Sequence, residues 1–312
     1  PNITIIKPQL EDEIKKAFSQ IPKLLSGEGI GEKVEKDYCF VETEEQFQQY
    51  KDQFDDAQKI VVDIETTSVS PHTGSILGIA MSTRPHQGIY VSVDIVEKHK
   101  QWFHDLFKTK LCIFHNSKFD TNFMETEMGF EFPKYEDTML LHYCLEESVG
   151  THGLKPLALR FTDLGDYERE LDEYKKSWAR KNKVKLADFN YGMLPSDILA
   201  PYACKDADAT FQLYGKFKPL VEKSEEFTRL YNTILMPATH AMKTLEKNGG
   251  PINVEQVDWL AEQYQIDVEE CLEEINNHEA VQRFERVYEK TFNPNSTAQL
   301  RDLFFNIIKL KP

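Results

Sequence analysis

The pattern of hydrophobic and polar positions changes once along this chain, near residue 220. Before that point, short apolar runs bounded by turn residues alternate with stretches of helical periodicity. Runs of this kind predict β-strands. The predicted strands cover residues 37–42, 59–65, 76–83, 88–93 and 111–115. Three consecutive strands followed by alternating helix and strand favour an α/β fold, a mixed β-sheet flanked by helices.

Helix signals fall between and after these strands. Thr43 and Gln46 form a capping-box pattern at the start of the first helix. Gly129 is placed to end a later helix in the left-handed conformation. The predicted helical segments cover residues 43–54, 97–108, 117–128, 136–147, 153–161 and 196–222.

Helical periodicity dominates from about Ser224 onward. Two long helical segments, 226–248 and 254–281, are separated by "NGGPIN", and Pro237 is expected to kink the first. We therefore predict a peripheral extension over residues 1–37, an α/β domain over 38–222 and a helical segment over 223–312.

Composition and charge narrow the class of protein. The 312 residues are 40% hydrophobic and carry a net charge of −15, as in a globular protein that lacks a general affinity for nucleic acid. No apolar stretch is long enough to span a membrane, and the N-terminus lacks a signal-peptide layout. The chain begins without Met, which suggests a fragment or a processed form. Five scattered cysteines favour a reducing, cytoplasmic location.

Two carboxylates end the strand in "VVDIETTSVS". Asp63 and Glu65 are two residues apart, so their side chains point to the same face of the strand, while Ile64 points to the other. Adjacent carboxylates repel, and their desolvation is unfavourable without a cationic partner. A divalent cation such as Mg²⁺ fits, because hard cations prefer carboxylate oxygen.

Two further motifs supply matching acids. "FHNSKFD" places Asp120 in the first turns of a helix, with Asn116 near the helix start as a cap or a ligand contact. "YACKDADAT" places Tyr202 and Asp206 on one face of a helix, four residues apart. A phenol and a carboxylate so arranged can hold a water molecule. Convergence of four carboxylates requires cations, and two divalent ions would clamp a phosphodiester for hydrolysis.

These three motifs resemble those of the 3′-5′ exonucleases that carry four acidic residues. Tyr202 stands four residues before Asp206, which resembles the tyrosine branch, and Pro201 occupies the position that a histidine would take in the other branch. From residue 38 onward the layout is similar to the proofreading domain of family A DNA polymerases, and the tail resembles the start of their thumb. Gly250 and Asn253 depart from the usual thumb-entry turn. The polymerase palm and fingers have no counterpart in these residues, so the chain resembles the N-terminal portion of a larger polymerase, of a phage-like kind.

The resemblance implies a ribonuclease H-like sheet and two Mg²⁺ or Mn²⁺ ions. It implies that Asp63 bridges both ions, that Glu65 and Asp206 complete the tighter site, and that Asp120 acts on the second ion. Tyr202 and Glu65 would orient the attacking hydroxide.

The resemblance also implies contacts to DNA from Thr66, Val69, Asn116 and Tyr167. Three of these residues have a structural alternative. Val69 could only pack the core, Asn116 could only cap its helix, and Tyr167 could be an ordinary surface residue.

Other candidate residues receive weaker assignments. Asp208 lies on a different helix face from Tyr202, so we expect a solvated or capping role. We expect His115, His142 and His152 to be partly buried and satisfied rather than metal ligands. The basic stretch 174–185, with Trp178 as a stacking platform, could hold DNA phosphates or be a solvated loop.

The sequence thus predicts a metal-dependent 3′-5′ exonuclease acting on single-stranded or primer-template DNA, with the polymerase palm and fingers as its partner. One alternative is an RNA-trimming enzyme resembling ribonuclease D. Another is a catalytically silent DNA-binding module. The presence of all four acids disfavours the silent module.

Overall fold

The computed structural model describes residues 34–311. Six strands form one mixed sheet with the order β1-β4-β3-β2-β5-β6. The strands are β1 Asp37–Val41, β2 Lys59–Thr66, β3 Ile76–Ser82, β4 Gln87–Ser92, β5 Leu111–Phe114 and β6 Tyr135–Asp137. β2 pairs antiparallel with β3 and parallel with β5, so it lies near the middle of the sheet.

Helices flank both faces of the sheet and continue after it. The helices of the sheet region are α1 Glu44–Asp56, α2 Val93–Lys98, α3 Lys100–Thr109, α4 Ser117–Phe123, α5 Thr138–Leu145, α6 Leu154–Phe161, α7 Arg169–Asn182 and α8 Ser196–Glu222. Those that follow are α9 Glu225–Leu230, α10 Met236–Asn248, α11 Val254–Asn277, α12 Glu279–Tyr288 and α13 Thr297–Arg301. Short π-helical segments cover Met124–Met128, Tyr231–Leu235 and Asp302–Ile307.

Each face of the sheet has its own hydrophobic core. Successive side chains of a strand point to opposite faces, so β2 gives Val62 and Ile64 to the core under α1, α3 and α4. Val61 belongs to the other core, which α8 covers. Asp63 and Glu65 continue the alternation of Val61 and therefore face α8.

The long helix α8 lies close against the strands. A Cβ added to Gly88 would come within 2.4 Å of the Cys204 carbonyl oxygen, so only glycine allows this approach. The helix runs 27 residues and holds Pro201 and Pro219 within it. Because one helix spans the sheet, Tyr202 and Asp206 are held rigidly opposite the end of β2.

Several predicted elements are confirmed and some are corrected. Thr43 and Gln46 form the predicted capping box. Gly129 ends its helix with φ 70°. The segment predicted as helix from residue 136 begins instead as strand β6, because its residues pair with β5. The helix predicted over 97–108 is divided at His99.

The described chain forms two compact units, the first reaching Lys247 and the second starting at Asn248. The second unit has a small core of its own around Phe284. The division predicted at residue 222 remains a prediction, and residues 1–33 of the predicted extension lie outside the described residues. Within residues 34–311, no helix combines the length and the apolar character needed to cross a membrane.

Candidate active site

Three acids meet where β2 faces α8. One carboxylate oxygen from each of Asp63, Glu65 and Asp206 lies within 4.8 Å of the others. The two strand residues share a face because they are two positions apart, and Asp206 comes from the helix that covers that face. The structure thus brings together three of the four predicted acids as a group that could hold a metal ion.

Asp120, the fourth predicted acid, lies on α4. Its side chain is buried, and one carboxylate oxygen accepts a hydrogen bond of 3.3 Å from the Ile64 N–H. Asp120 therefore contacts the strand between Asp63 and Glu65 without joining the three-carboxylate group.

Burial makes negative charge costly at this site. Burial and the nearby Asp206 raise the pKa of Asp63 to about 8. The pKa of Glu65 is raised well above its usual range by burial and by Asp63. Burial and Asp63 likewise raise the pKa of Asp120. A divalent ion would offset this unfavourable charge, and the chemistry of the three carboxylates and their spacing within 4.8 Å fit one.

Lys155 supplies a positive charge that the sequence analysis missed. Its ammonium group forms an ion pair with Asp206, and it lies 4.2 Å from the ring centre of Tyr202. Lys155 is in the first turn of α6, three residues before the buried Ala158. That spacing places it on the inward face of the helix, which was the available sequence signal.

Two tyrosines lie next to Asp206. Tyr202 is buried beside Asp206, and burial followed by the Asp206 charge raises its pKa, so its phenol stays protonated. The Tyr167 hydroxyl donates a 2.6 Å hydrogen bond to Asp206. Tyr167 is 8% exposed, so the alternative of an ordinary surface residue is wrong.

Asn116 stands at the N-cap of α4 but does not cap it. It adopts the left-handed conformation with φ 69°, and its side chain makes no capping bond. Asp137 takes that role, accepting hydrogen bonds from the Asn116 and Ser117 N–H groups at 3.2 and 2.7 Å. The capping alternative for Asn116 is therefore wrong, and the residue lines a neighbouring cavity.

The acids form the floor of a cleft of about 560 Å³. Thr66, Val69 and residues 187–191 also line this cleft. Val69 is 86% exposed, so the alternative that it packs the core is wrong. The Thr66 hydroxyl donates to the Ser68 carbonyl at 2.7 Å, which fixes the turn carrying Val69. A second cavity of about 380 Å³ shares Val69 with the first and includes Asn116.

Asp208 has neither the solvated nor the helix-capping role that we expected. It is fully buried and accepts hydrogen bonds from the Tyr38 hydroxyl at 2.6 Å and the His86 N–H at 2.8 Å. It therefore fixes α8 to the sheet from the side away from the cleft.

The three histidines form no metal group with other residues in the described part of the chain. His142 and His152 share a 2.8 Å hydrogen bond between their Nδ1 atoms, and His115 Nδ1 bonds Thr138. His115 and His152 each keep one buried ring nitrogen without a partner, so only part of their hydrogen-bonding capacity is satisfied.

The basic stretch is mostly helical rather than a loop, since α7 extends to Asn182. Trp178 lies with its ring centre 5.3 Å from that of Phe189, edge to face. Trp178, the predicted stacking platform, thus already packs against another aromatic ring.

Comparison with known proteins agrees with this geometry. The 3′-5′ exonuclease family profile of family A DNA polymerases matches residues 38–222. The DNA polymerase of Escherichia phage T5 is 36% identical over 262 residues, which cover 81% of this chain and 31% of that protein. The DNA polymerase of Bacillus phage SP01 is 25% identical, with 86% of this chain and 32% of that protein covered.

Similarity extends to cellular enzymes and to a solved fold. DNA polymerase I of Borreliella burgdorferi is 23% identical over 82% of this chain and 26% of its own length. The POL domain of Pol1 from M. smegmatis, in complex with DNA primer-template and dNTP, superimposes with a TM-score of 0.56 at 12% identity. That match covers 87% of this chain and 41% of that one, and it shows the fold alone.

The chain thus spans about a third of the length of the curated relatives named above. The profile match covers more than half of the chain and includes all four acids and Tyr202. The chain belongs to the 3′-5′ exonuclease domain family of family A DNA polymerases.

Proposed function

We propose that this protein removes nucleotides one at a time from the 3′ end of single-stranded or frayed DNA, with two Mg²⁺ or Mn²⁺ ions, as the proofreading part of a DNA polymerase. The observation that carries the proposal is the group of three carboxylates from Asp63, Glu65 and Asp206 at the floor of the cleft. Burial raises the pKa of Asp63 and of Glu65, and a bound cation would favour their ionised forms. The family membership supports the exonuclease direction.

The divalent ions would supply Lewis-acid activation of the phosphate and of a water molecule. Asp63, Glu65 and Asp206 would hold them, with Asp120 adjoining. The Tyr202 phenol is protonated and lies beside Asp206, so it can donate a hydrogen bond that orients the attacking water. Lys155 balances the charge of Asp206 when no ion is bound.

The cleft walls suit a frayed terminus. Val69 is exposed at the cleft, where its apolar side chain can lie beside the terminal base. Asn116 lines the adjoining cavity, where its amide can hydrogen-bond the last nucleotide. Contacts of this kind tolerate any base, as proofreading requires.

The test is a gel assay on a 5′-labelled single-stranded DNA oligonucleotide, with Mg²⁺, Mn²⁺ or EDTA. We expect a ladder that shortens from the 3′ end, only with metal, and no ladder from Asp63→Asn. An RNA oligonucleotide of the same sequence serves as a second substrate. Preferential trimming of RNA, or no cleavage of either strand by a folded protein, would contradict the proposal.

A further inference from the structure

The cleft wall at residues 187–191 continues into a strongly basic surface. The first half of α7 carries acids at Glu170, Asp172 and Glu173, whereas residues 174–185 contain six cations and no acid. Five of these cations are exposed and are named here the basic rim. The basic rim consists of Lys176, Arg180, Lys181, Lys183 and Lys185.

The charges of the basic rim are unpaired. In the part of the chain that the structure describes, none of its five residues takes part in an ion pair. Lysines elsewhere on the surface differ, since Lys98 pairs with Glu44 and Lys108 with Glu131. In a protein of net charge −15, this leaves a local excess of positive charge beside the cleft.

Side-chain contacts fix the basic rim relative to the cleft. Lys175 donates a 3.1 Å hydrogen bond to the Tyr191 hydroxyl, and Trp178 packs against Phe189. Tyr191 and Phe189 both line the cleft. Lys185 precedes the cleft residue Ala187 by two positions, so their Cα atoms are at most about 7 Å apart.

The helix dipole explains only part of this charge. Cations in the last turn of a helix are favourable, which accounts for Arg180 and Lys181. Lys183 and Lys185 lie beyond the helix end, and Lys176 precedes its last turn. The positions of these three lysines are better explained by a polyanion that binds along the basic rim.

We propose that the basic rim binds the phosphates of the DNA strand upstream of the 3′ end that the cleft holds. This rests on the proposed function, because a strand whose 3′ end is in the cleft must leave it in the 5′ direction. Each phosphate neutralised on a single strand steepens the salt dependence of binding by about 0.7 in the logarithmic slope. A strand that is too short to extend from the cleft to the basic rim gains no contact there. The basic rim should therefore act on long strands and not on short ones.

The test compares two triple variants with the same change in charge. The first, K181Q/K183N/K185Q, neutralises the rim and keeps at position 183 a residue that tolerates the left-handed conformation, which Lys183 adopts with φ 55°. The control, K98Q/K100Q/K108Q, lies on α2 and α3, helices that pack on the opposite face of the sheet. A double variant, K176Q/R180Q, repeats the test within the helix.

Hydrolysis of a 5′-labelled trinucleotide and of a fifteen-nucleotide strand is measured with Mg²⁺ at several salt concentrations. For the rim variants we expect the KM of the long strand to rise about tenfold, with kcat and the trinucleotide kinetics unchanged. For the triple variant the salt slope should fall by about 2. The control variant should match the wild type.

Equal KM values for the rim and control variants on the long strand would overturn the proposal. So would an equal loss on the trinucleotide, because that would reflect damage to the cleft. If the wild type cleaves neither substrate, the proposed function fails instead. Binding of the long strand, measured by fluorescence anisotropy, then still tests the basic rim. The proposal predicts that the rim variants bind this strand more weakly than the control variant does.

Discussion

Lys155 is the residue that brings a positive charge to the group of carboxylates. Its ammonium group meets Asp206, while its side chain lies against the rings of Tyr202 and Tyr167. The positive charge of Lys155 thus offsets part of the repulsion between the carboxylates of this group. Divalent ions bound as proposed would therefore compete with Lys155 for Asp206.

The first prediction concerns this competition. Lys155→Met should lower the metal-free free energy of unfolding by on the order of 3 kcal/mol, because it leaves Asp206 buried without a counter-ion. Added Mg²⁺ should raise the melting temperature more in this variant than in the wild type. Thermal melts with EDTA and with Mg²⁺ measure both effects, and Lys155→Arg is the control that keeps the charge. An unchanged metal-free melting temperature in Lys155→Met would contradict the prediction.

The second prediction concerns Asp63. Asp63→Asn should abolish exonuclease activity and raise the metal-free melting temperature by a few degrees at pH 8. The folded-state pKa of Asp63 is about 8, above its usual 3.8, so its ionisation costs stability as pH rises from 4 through 8.

The stabilisation by Asp63→Asn should therefore vanish at pH 4. Melts of both proteins in EDTA across this range test it. The exposed Asp56→Asn is the matched control, for which no change is expected. A gain that is equal at both pH values would show that repulsion is not its cause.

At the residue scale, the sequence predicts those parts of the site that depend on local spacing. Asp63 with Glu65, and Tyr202 with Asp206, share a face because their separations match the strand and helix periods. Lys155 was missed because its contact with Asp206 spans 51 residues and no local period encodes it.

Asp137 shows at the element scale how a single side chain positions two helices. One oxygen accepts from the Ser117 N–H at the start of α4, and the other accepts from the Met139 N–H at the start of α5. Its own N–H donates to the Tyr231 hydroxyl at 2.8 Å. The helix that carries Asp120 is therefore held by an acid that does not contact the cleft.

The third prediction follows from these bonds. Asp137→Ala removes the cap of both helices, and each lost cap costs about 1 kcal/mol, so we expect about 2 kcal/mol less stability. Asp137→Asn keeps an acceptor oxygen and should lose less. Urea unfolding measures both variants, with Asp208→Asn as a control for loss of a buried acid elsewhere. An equal loss in the alanine and asparagine variants would contradict the capping role.

Element boundaries were harder to predict than the elements. The last two residues of β6 look helical in sequence because they belong to "EDTMLLHYCLEE", which has helical periodicity. Its first residues pair with β5 instead, and Asp137 then begins the helix as N-cap. Pairing with a distant strand thus overrode local preference.

At the scale of the whole molecule, two buried groups give the stability opposite pH dependence. Burial and the nearby His152 lower the pKa of His142 to about 4. The neutral form of His142 is the one that the fold accommodates. Its contribution to the free energy of unfolding is therefore fully present above the unfolded pKa of about 6.5 and is lost as pH falls towards 4. Asp63 acts in the other direction when no metal is bound.

The fourth prediction is that Mg²⁺ shifts the pH of greatest stability upward. Metal binding removes the cost of ionising Asp63, whereas the loss on the acid side remains, because His142 faces His152, Glu146, Arg160 and His115 rather than the carboxylate group. Melting temperatures from pH 4 to 9, with and without Mg²⁺, measure the shift. His142→Gln should flatten the acid side only, and an optimum that does not move with Mg²⁺ would refute the prediction.

Tyr231 has a consequence for anyone who wishes to isolate the exonuclease as a minimal fragment. The family match ends at residue 222, yet Tyr231 is among the largest fully buried side chains, and its hydroxyl bonds the backbone of Asp137. A fragment trimmed at Glu222 would leave an aromatic-sized hole beneath the two helix starts that Asp137 holds. The practical place to cut the chain is after Lys247, where the first compact unit ends.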